Sequence, residues 1–542
     1  MKKSILSLSA AAALGTLGFA GSAHAVFFNG ADGITPAGNY ASFLSLNPGG
    51  TGHMLFAPYY SAQGAAGTLF NLVNTDRVNG KAVKVRFRGA ANSDDVLDFV
   101  VFLSPGDVWT ADIARDAATG KARIATTDKS CTLPSQTTPG EWPAVFKTDR
   151  LAPYYSADLK AMHVNEGYIE VLNMADIRPR LTHIFDAVNP AGIPNPLFAN
   201  IKHVGGVAPC SDAGFASFQN PSVNTTALDA PNAGLFAPTG GLAGSWALFD
   251  QSQKAVHSGN LTAITAARTW GPDDVTPLAA AALVAVSPQL DAPIGSAPDA
   301  WTADPLLTGG TPVINARYLD LPDMSTPAIA GNAPVVQADA LSTRLGRAEI
   351  LNEYAFNDGT AAVPMQTDWV VSQPTRRYHV AVDYTLDLLT AHRVWNSNMV
   401  NPLLNFPTSF QGFVSANNRY RNVEFMDTGY GRMICLAPTV RAFDREEKPG
   451  FPVMSPSNRS YCGEVFTLQF GGNPSLLGAK LTAASVSAAS LPGQTGWMLL
   501  SLTNPDLAPS SRLPMVGFSA TAMKNTLTGV NYGTTQPHKW YR

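Results

Sequence analysis

The chain has 542 residues and a formal net charge of −3. Only 14% of its residues are charged, against 46 glycines and 40 prolines. That balance offers little for a nucleic acid or an anionic membrane to hold. It fits an extracellular, turn-rich β protein of about two to four domains.

The opening MKKSILSLSAAAALGTLGFAGSAHA places Lys2 and Lys3 before an apolar stretch and ends on Ala23-His24-Ala25, an A-x-A cleavage signal. The expectation is a secretory signal peptide over residues 1–25. The mature chain is then expected in the periplasm, on the cell surface or outside the cell. No later stretch has the length of a spanning helix. The last residues, HKWYR, lack the terminal aromatic strand of an outer-membrane barrel, so a barrel is disfavoured.

The hexapeptide APYYSA occurs twice, at Ala57–Ala62 and Ala152–Ala157. Each copy is soon followed by a glycine that opens an apolar run, GTLFNLVNTD or GYIEVLNMAD. Tyr59, Tyr60, Tyr154 and Tyr155 are candidates for stacking on a sugar ring or anchoring a protein contact. The preferred reading is architectural: a proline-led strand entry whose tyrosines straddle the pleat, used in two related β-units.

From Gly67 to Ile113 the pattern predicts four strands with short turns, Asn79-Gly80 among them. KAVKVRFR alternates, with Val83, Val85 and Phe87 on one face and Lys84, Arg86 and Arg88 on the other. Period two predicts a core face and a solvated charged face rather than a nucleic-acid site. The turn with Asn92, Asp94 and Asp95, and a second turn at Asp358, are weak calcium candidates because hard cations take carboxylate and carbonyl oxygens. A plain Asx turn is the preferred reading of both.

Four cysteines, Cys131, Cys210, Cys435 and Cys462, have no C-x-x-C spacing for zinc. An even count in an exported chain reads as two disulfides. Three pairings are open, and proximity favours Cys131–Cys210 with Cys435–Cys462. Residues 205–337 are rich in Gly, Ala and Pro and read as a loop insert, with a short helix at PLAAAALVAV. Residues 26–204 and 338–542 read as an N-terminal and a C-terminal β-sandwich region. In the latter, RAEILNEYAF, QTDWVVS, RRYHVAVDYTLD, GEVFTLQF, GWMLLSLTNPD and LPMVGFSATAM are the expected strands, with Phe466, Leu468 and Phe470 sharing a face.

Several of these segments, LFAPYYSAQGAAGTLFNLVNTD, DVLDFVVFLSPGDVWTA, the NEY…TDWVV…PTRR block and LPMVGFSATAM, resemble a family of exported proteobacterial surface proteins. The resemblance covers under half of the chain and implies an exported, β-rich protein. It carries over no functional residue.

Chemistry is sparse. There is no G-x-S-x-G, H-E-x-x-H or phosphate-binding glycine loop. Past the signal segment the histidines are His53, His163, His183, His203, His257, His379, His392 and His538, in no triad-like spacing. Carboxylates four apart on a strand lie about 13 Å apart, too far for a retaining glycosidase. No residue is assigned a catalytic role, and no cofactor beyond the weak calcium candidates.

The expected fold is mainly β, with antiparallel Ig-like β-sandwich domains, long loops and a short helical insert. The expected function is that of a non-catalytic surface or extracellular structural protein. It would associate with itself or with other surface proteins through sheet edges and loops. The alternatives are a secreted hydrolase acting on a polymer and a module binding a carbohydrate, with polysaccharide as partner.

Overall fold

A computed structural model describes residues 43–136, 142–149, 151–152, 154–181, 192–215, 234–236, 238–251, 254–271, 274–277, 334–357, 363–383, 393–396, 419–420, 423–450, 461–502, 512–525 and 531–541. The signal segment, the PLAAAALVAV helix and Asp358 lie outside the described residues.

The N-terminal half begins with β1 (Phe43–Leu46), β2 (Met54–Ser61), β3 (Ala66–Asn74), β4 (Gly80–Gly89) and β5 (Asp95–Leu103). It continues with β6 (Val108–Arg115), β7 (Ala122–Ala125), β8 (Cys131–Leu133), β9 (Ala144–Val145) and β10 (Glu166–Ile177). Then come β11 (Leu242–Asp250), β12 (Ala255–Asn260), β13 (Thr262–Gly271) and β14 (Asp274–Pro277). An eight-stranded sheet has the order β1-β13-β2-β10-β4-β5-β8, with β14 on β13; a six-stranded sheet runs β12-β11-β3-β6-β7-β9. Their facing side chains form one core. Val85, Phe87, Phe99 and Ile169 of the first sheet meet Phe70, Trp109, Ile113 and Trp246 of the second. The Phe99 and Trp109 rings lie 5.6 Å apart across the interface.

The C-terminal half holds β15 (Gly346–Arg347), β16 (Glu349–Ala355), β17 (Met365–Ser372), β18 (Val380–Asp383), β19 (Arg393–Asn396), β20 (Glu424–Asp427), β21 (Arg432–Leu436) and β22 (Thr439–Asp444). It ends with β23 (Tyr461–Cys462), β24 (Val465–Phe470), β25 (Ala483–Val486), β26 (Thr495–Ser501), β27 (Leu513–Pro514), β28 (Val516–Lys524), β29 (Asn531–Pro537) and β30 (Lys539–Tyr541). A four-stranded sheet, β22-β26-β16-β30, packs on a five-stranded one, β25-β24-β17-β28-β29. Phe466, Leu468 and Phe470 do share the core face, with Tyr354, Trp369 and Met498. The other face of the five-stranded sheet contributes Val370, Phe518 and Ala520 to the N-terminal core. The two halves therefore share one apolar interior, and the Trp246 and Phe518 rings meet at a tilt, 4.4 Å apart, across it.

Four helices are described: α1 (Ala157–Val164), α2 (Pro196–Ile201), α3 (Asp212–Phe215) and α4 (Pro334–Leu345). The predicted strand RRYHVAVDYTLD opens instead as a single 3-10 turn, Arg376–Tyr378, before β18.

The chain is mainly antiparallel β, as its turn-punctuated apolar runs require. Its first two sheets are larger than an Ig-like sandwich of about seven to nine strands in all. Both disulfides are the proximal pairs, Cys131–Cys210 and Cys435–Cys462.

Three expectations are corrected. Residues 242–277 are not loop: they supply four strands that complete both N-terminal sheets, because their short apolar runs alternate and pair in register, Trp246 opposite Phe70 and Leu248 opposite Thr68. The solvated face of KVRFR is buried, with Lys84, Arg86 and Arg88 fully inside. Alternation marks which residues share a face, and here both faces are covered. The two copies of APYYSA are not one structural unit. The first is the body of β2, with Tyr59 and Tyr60 fully buried. The second is a turn whose Ser156 accepts from the Leu159 amide and caps α1.

Candidate functional site

The outer face of the eight-stranded sheet carries an ionic layer. β4 pairs antiparallel with β5 and β10, so Arg86 sits opposite Asp98 on one side and Glu170 on the other. That register places opposite charges in cross-strand rows. Lys84 Nζ lies 2.5 Å from Asp98 Oδ1. Arg86 reaches Glu170 and Asp95, each at 3.5 Å. Arg88 reaches the same two carboxylates at 3.4 and 3.8 Å. All of these groups are buried. The Tyr168 hydroxyl touches Ser93 and lies 3.4 Å from Glu170. Burial, then the Glu170 charge, pushes Tyr168 well above the usual phenol range.

The cover comes from the segment after β17. Tyr168 donates to the Pro374 carbonyl at 3.1 Å, and Arg377 approaches Asp94 at 3.7 Å. Arg376, fully buried, reaches three parts of the chain. Its Nε donates to Glu464 at 3.0 Å, its Nη1 to the carbonyls of Ile434 and Gly463, and its Nη2 to the Ala91 carbonyl. Burial raises the Glu464 carboxyl above its ordinary range, with Arg376 acting in the opposite direction. The disulfide Cys435–Cys462 joins directly opposed residues of β21 and β23, next to those same carbonyls.

Beyond the end of β24, a strap over residues 475–482 crosses from one half to the other. Glu166, which opens β10, accepts from the amides of Lys480, Leu481 and Thr482 at 2.8, 3.0 and 3.3 Å, and from the Thr482 hydroxyl at 2.6 Å. Tyr59 donates to Glu166 at 3.1 Å. Asp368 of β17 accepts from Ser475 Oγ at 2.6 Å and from the Leu477 amide at 3.3 Å.

Two serines meet a histidine among the described residues: Ser104, which lies 3.0 Å from His203 Nδ1 with Asp107 beside both, and Ser342. Ser342 of α4 lies 2.7 Å from His379 Nε2 and 2.5 Å from the Thr375 hydroxyl. Ser342 is fully buried and His379 nearly so. Burial, then the Arg419 charge, holds His379 well below its usual range, so its ring is neutral. An imidazole on a serine hydroxyl is the first pair of a nucleophilic site, and both members of this pair are buried.

The sequence candidates are thus redistributed. Asn92, Asp94 and Asp95 come together, but the two carboxylates face arginines and Asn92 donates to the Arg432 carbonyl. No cluster of three metal-ligating His, Cys, Asp or Glu side chains occurs among the described residues. Tyr60 is packed edge-on against Phe87 and Phe146. Tyr155 is buried against His163 and Gly431, and Tyr154 alone of the four reaches the surface.

Sequence reasoning missed Asp368, Arg376, Glu464 and the Ser342–His379 pair, and weighed Glu166 only as a carboxylate spaced four from Glu170. A signal existed for the carboxylates: Asp368 in QTDWVVS and Glu464 in GEVFTLQF each stand directly before an apolar run. Charges so placed are buried only when partnered or neutralised.

No family model, no curated protein and no solved structure matches this chain.

Proposed function

We propose that the protein is an exported, non-catalytic structural protein of the cell surface or extracellular space, and that it acts by associating with its own copies or with other surface proteins. The observation that carries this reading is a set of exposed apolar side chains on either side of β29, the edge strand of the five-stranded sheet. Val363, Met523, Tyr532 and Val256 are 57, 37, 57 and 56% exposed. Lys524 donates to the Pro364 carbonyl, which sets Val363 beside β28. Met523 and Tyr532 are direct partners on β28 and β29. Gly533, the next residue, lies so close to the Val256 carbonyl that a Cβ there would meet it at 2.4 Å. Apolar side chains exposed on both sides of a sheet edge mark a contact site. The resemblance to exported surface proteins and the two disulfides agree with this reading, since disulfides persist in oxidising compartments.

The test is light scattering and negative-stain electron microscopy of the purified mature chain. Ordered sheets, filaments or rings are expected, weakened by Val256→Asp with Tyr532→Asp. A strictly monomeric protein at high concentration, with and without calcium, would overturn the proposal.

The Ser342–His379 pair supports a second reading, a serine hydrolase whose site opens on substrate binding. A fluorophosphonate probe would then label Ser342 in the native protein and leave Ser342→Ala unlabelled. Absence of labelling in the native protein sinks this reading.

A further inference from the structure

The strap over residues 475–482 is held at two points, and the two points differ in kind. At the Glu166 end, three backbone amides and a hydroxyl converge on one carboxylate, with Tyr59 as a further donor. At the Asp368 end, one oxygen, Oδ2, takes both the Ser475 hydroxyl and the Leu477 amide. The other, Oδ1, is buried with no hydrogen-bond partner. The Ser475 hydroxyl oxygen also receives the amides of Leu477 and Ala479, so Ser475 relays Asp368 into the turn of the strap.

Among the described residues no Lys, Arg or His forms an ion pair with Asp368. On the flanking strands β24 and β28, Gln469 and Ala520 stand opposite Asp368. Leu476 and Leu477 of the strap lie beside Asp250 of β11 and His257 of β12. Gly478 comes near Asp250 Oδ2 and Ala66. The charged and titratable groups around the strap are therefore Lys480 on the strap itself, Glu166, Asp250, His257 and Tyr59.

We propose that Asp368 and Ser475 form a pH-responsive clasp that holds the strap across the two halves most tightly when Asp368 is protonated. Ionisation would leave a buried negative charge with an oxygen that no donor reaches. Local opening lets water reach it.

Burial raises the Asp368 carboxyl to about 7, and its hydrogen bonds to Ser475 and the strap only partly offset this. A group whose pKa is higher in the closed form binds its proton more tightly there. The closed strap is then favoured below the ordinary carboxylate range. It loses ground as pH rises from about 4 to about 7 and changes no further above that. His257, whose pKa is lowered by burial, acts in the opposite sense. The clasp must for that reason be isolated by substitution.

The experiment is amide hydrogen exchange of the full chain between pH 4.5 and 8.5, followed at residues 477–482 and corrected for intrinsic exchange. In the wild type, the opening constant relative to that of Asp368→Asn is expected to rise about tenfold per pH unit up to about pH 7 and then level off. Asn keeps an acceptor for Ser475 and Leu477 and cannot ionise. A wild-type to variant ratio independent of pH overturns the proposal. Ser475→Ala provides a second route that leaves Asp368 in place. Removing a hydrogen bond that favours the charged form moves the plateau to higher pH, and an unmoved plateau also overturns the clasp.

Discussion

Arg376 illustrates how this protein uses charge at the scale of a single residue. Its guanidinium is out of reach of solvent and joins a carboxylate and three carbonyls from separate segments. A planar five-donor fork can do this and an ammonium cannot. Arg376→Met leaves Glu464 buried without its cation and strands three carbonyls. The expected loss is about 3–5 kcal/mol in denaturant unfolding. Adding Glu464→Gln removes the unpaired charge and should restore part of that loss. If the double variant is as unstable as the sum of the two single ones, the ion pair is not what holds this junction. Glu166 belongs to the same class: an acid at the start of a strand that gathers backbone donors from 314 to 316 residues away.

At the scale of elements, the strands were largely legible and their environments were not. GTLFNLVNTD, KAVKVRFR, DVLDFVVFL, QTDWVVS, GEVFTLQF and LPMVGFSATAM all form the strands their alternation and flanking turns predict. Period two follows from the pleat of the backbone, a local property. Whether a face meets water depends on what packs over it, which is a distant one. Lys84, Arg86 and Arg88 look solvated in sequence, and only the arrival of Asp98, Glu170 and the Pro374–Arg377 segment makes them interior.

The twin hexapeptides teach the same lesson from the other side. The residues after the first copy, Gln63 and Gly64, break the chain into a turn toward β3. Those after the second, Asp158 to Met162, are helix formers behind a capping serine. Identical residues take different structures because their neighbours differ. The Ser342–His379 pair could not be read from sequence at all, since its members stand 37 residues apart on a helix and a 3-10 turn end.

At the scale of the whole molecule, two disulfides of different span serve different boundaries. Cys131–Cys210 closes a separation of 79 residues within the N-terminal half, where Leu197, Ile201 and Phe215 cover Val100 and Phe102. Cys435–Cys462 closes only 27, so chain entropy alone makes it the weaker constraint by about 1 kcal/mol. Its position gives it another role. The residues next to each cysteine, Ile434 and Gly463, supply the carbonyls that Arg376 holds, and the Glu464 amide bonds to Ala90. Replacing both Cys435 and Cys462 by Ala should raise hydrogen exchange at residues 463–465 and 90–93 more than the same change at Cys131 and Cys210. The reverse order would separate the disulfide from the junction.

The sealed ionic layer also bears on the order of events in a chain synthesised from its first residue onward. The strands bearing Lys84, Arg86, Arg88, Asp98 and Glu170 emerge long before Arg376, which meets Ala91 across 285 positions. Until then the outer face of the first sheet is a hydrated surface of mixed charge, which discourages premature collapse and sticking between unfinished chains. Its burial requires the second half, which supplies the Pro374 carbonyl, Arg376 and Arg377. Contacts this remote in sequence close slowly. The same side chains thus act first as a solubilising face and later as interior, and a truncated N-terminal half would stop at the first of those states.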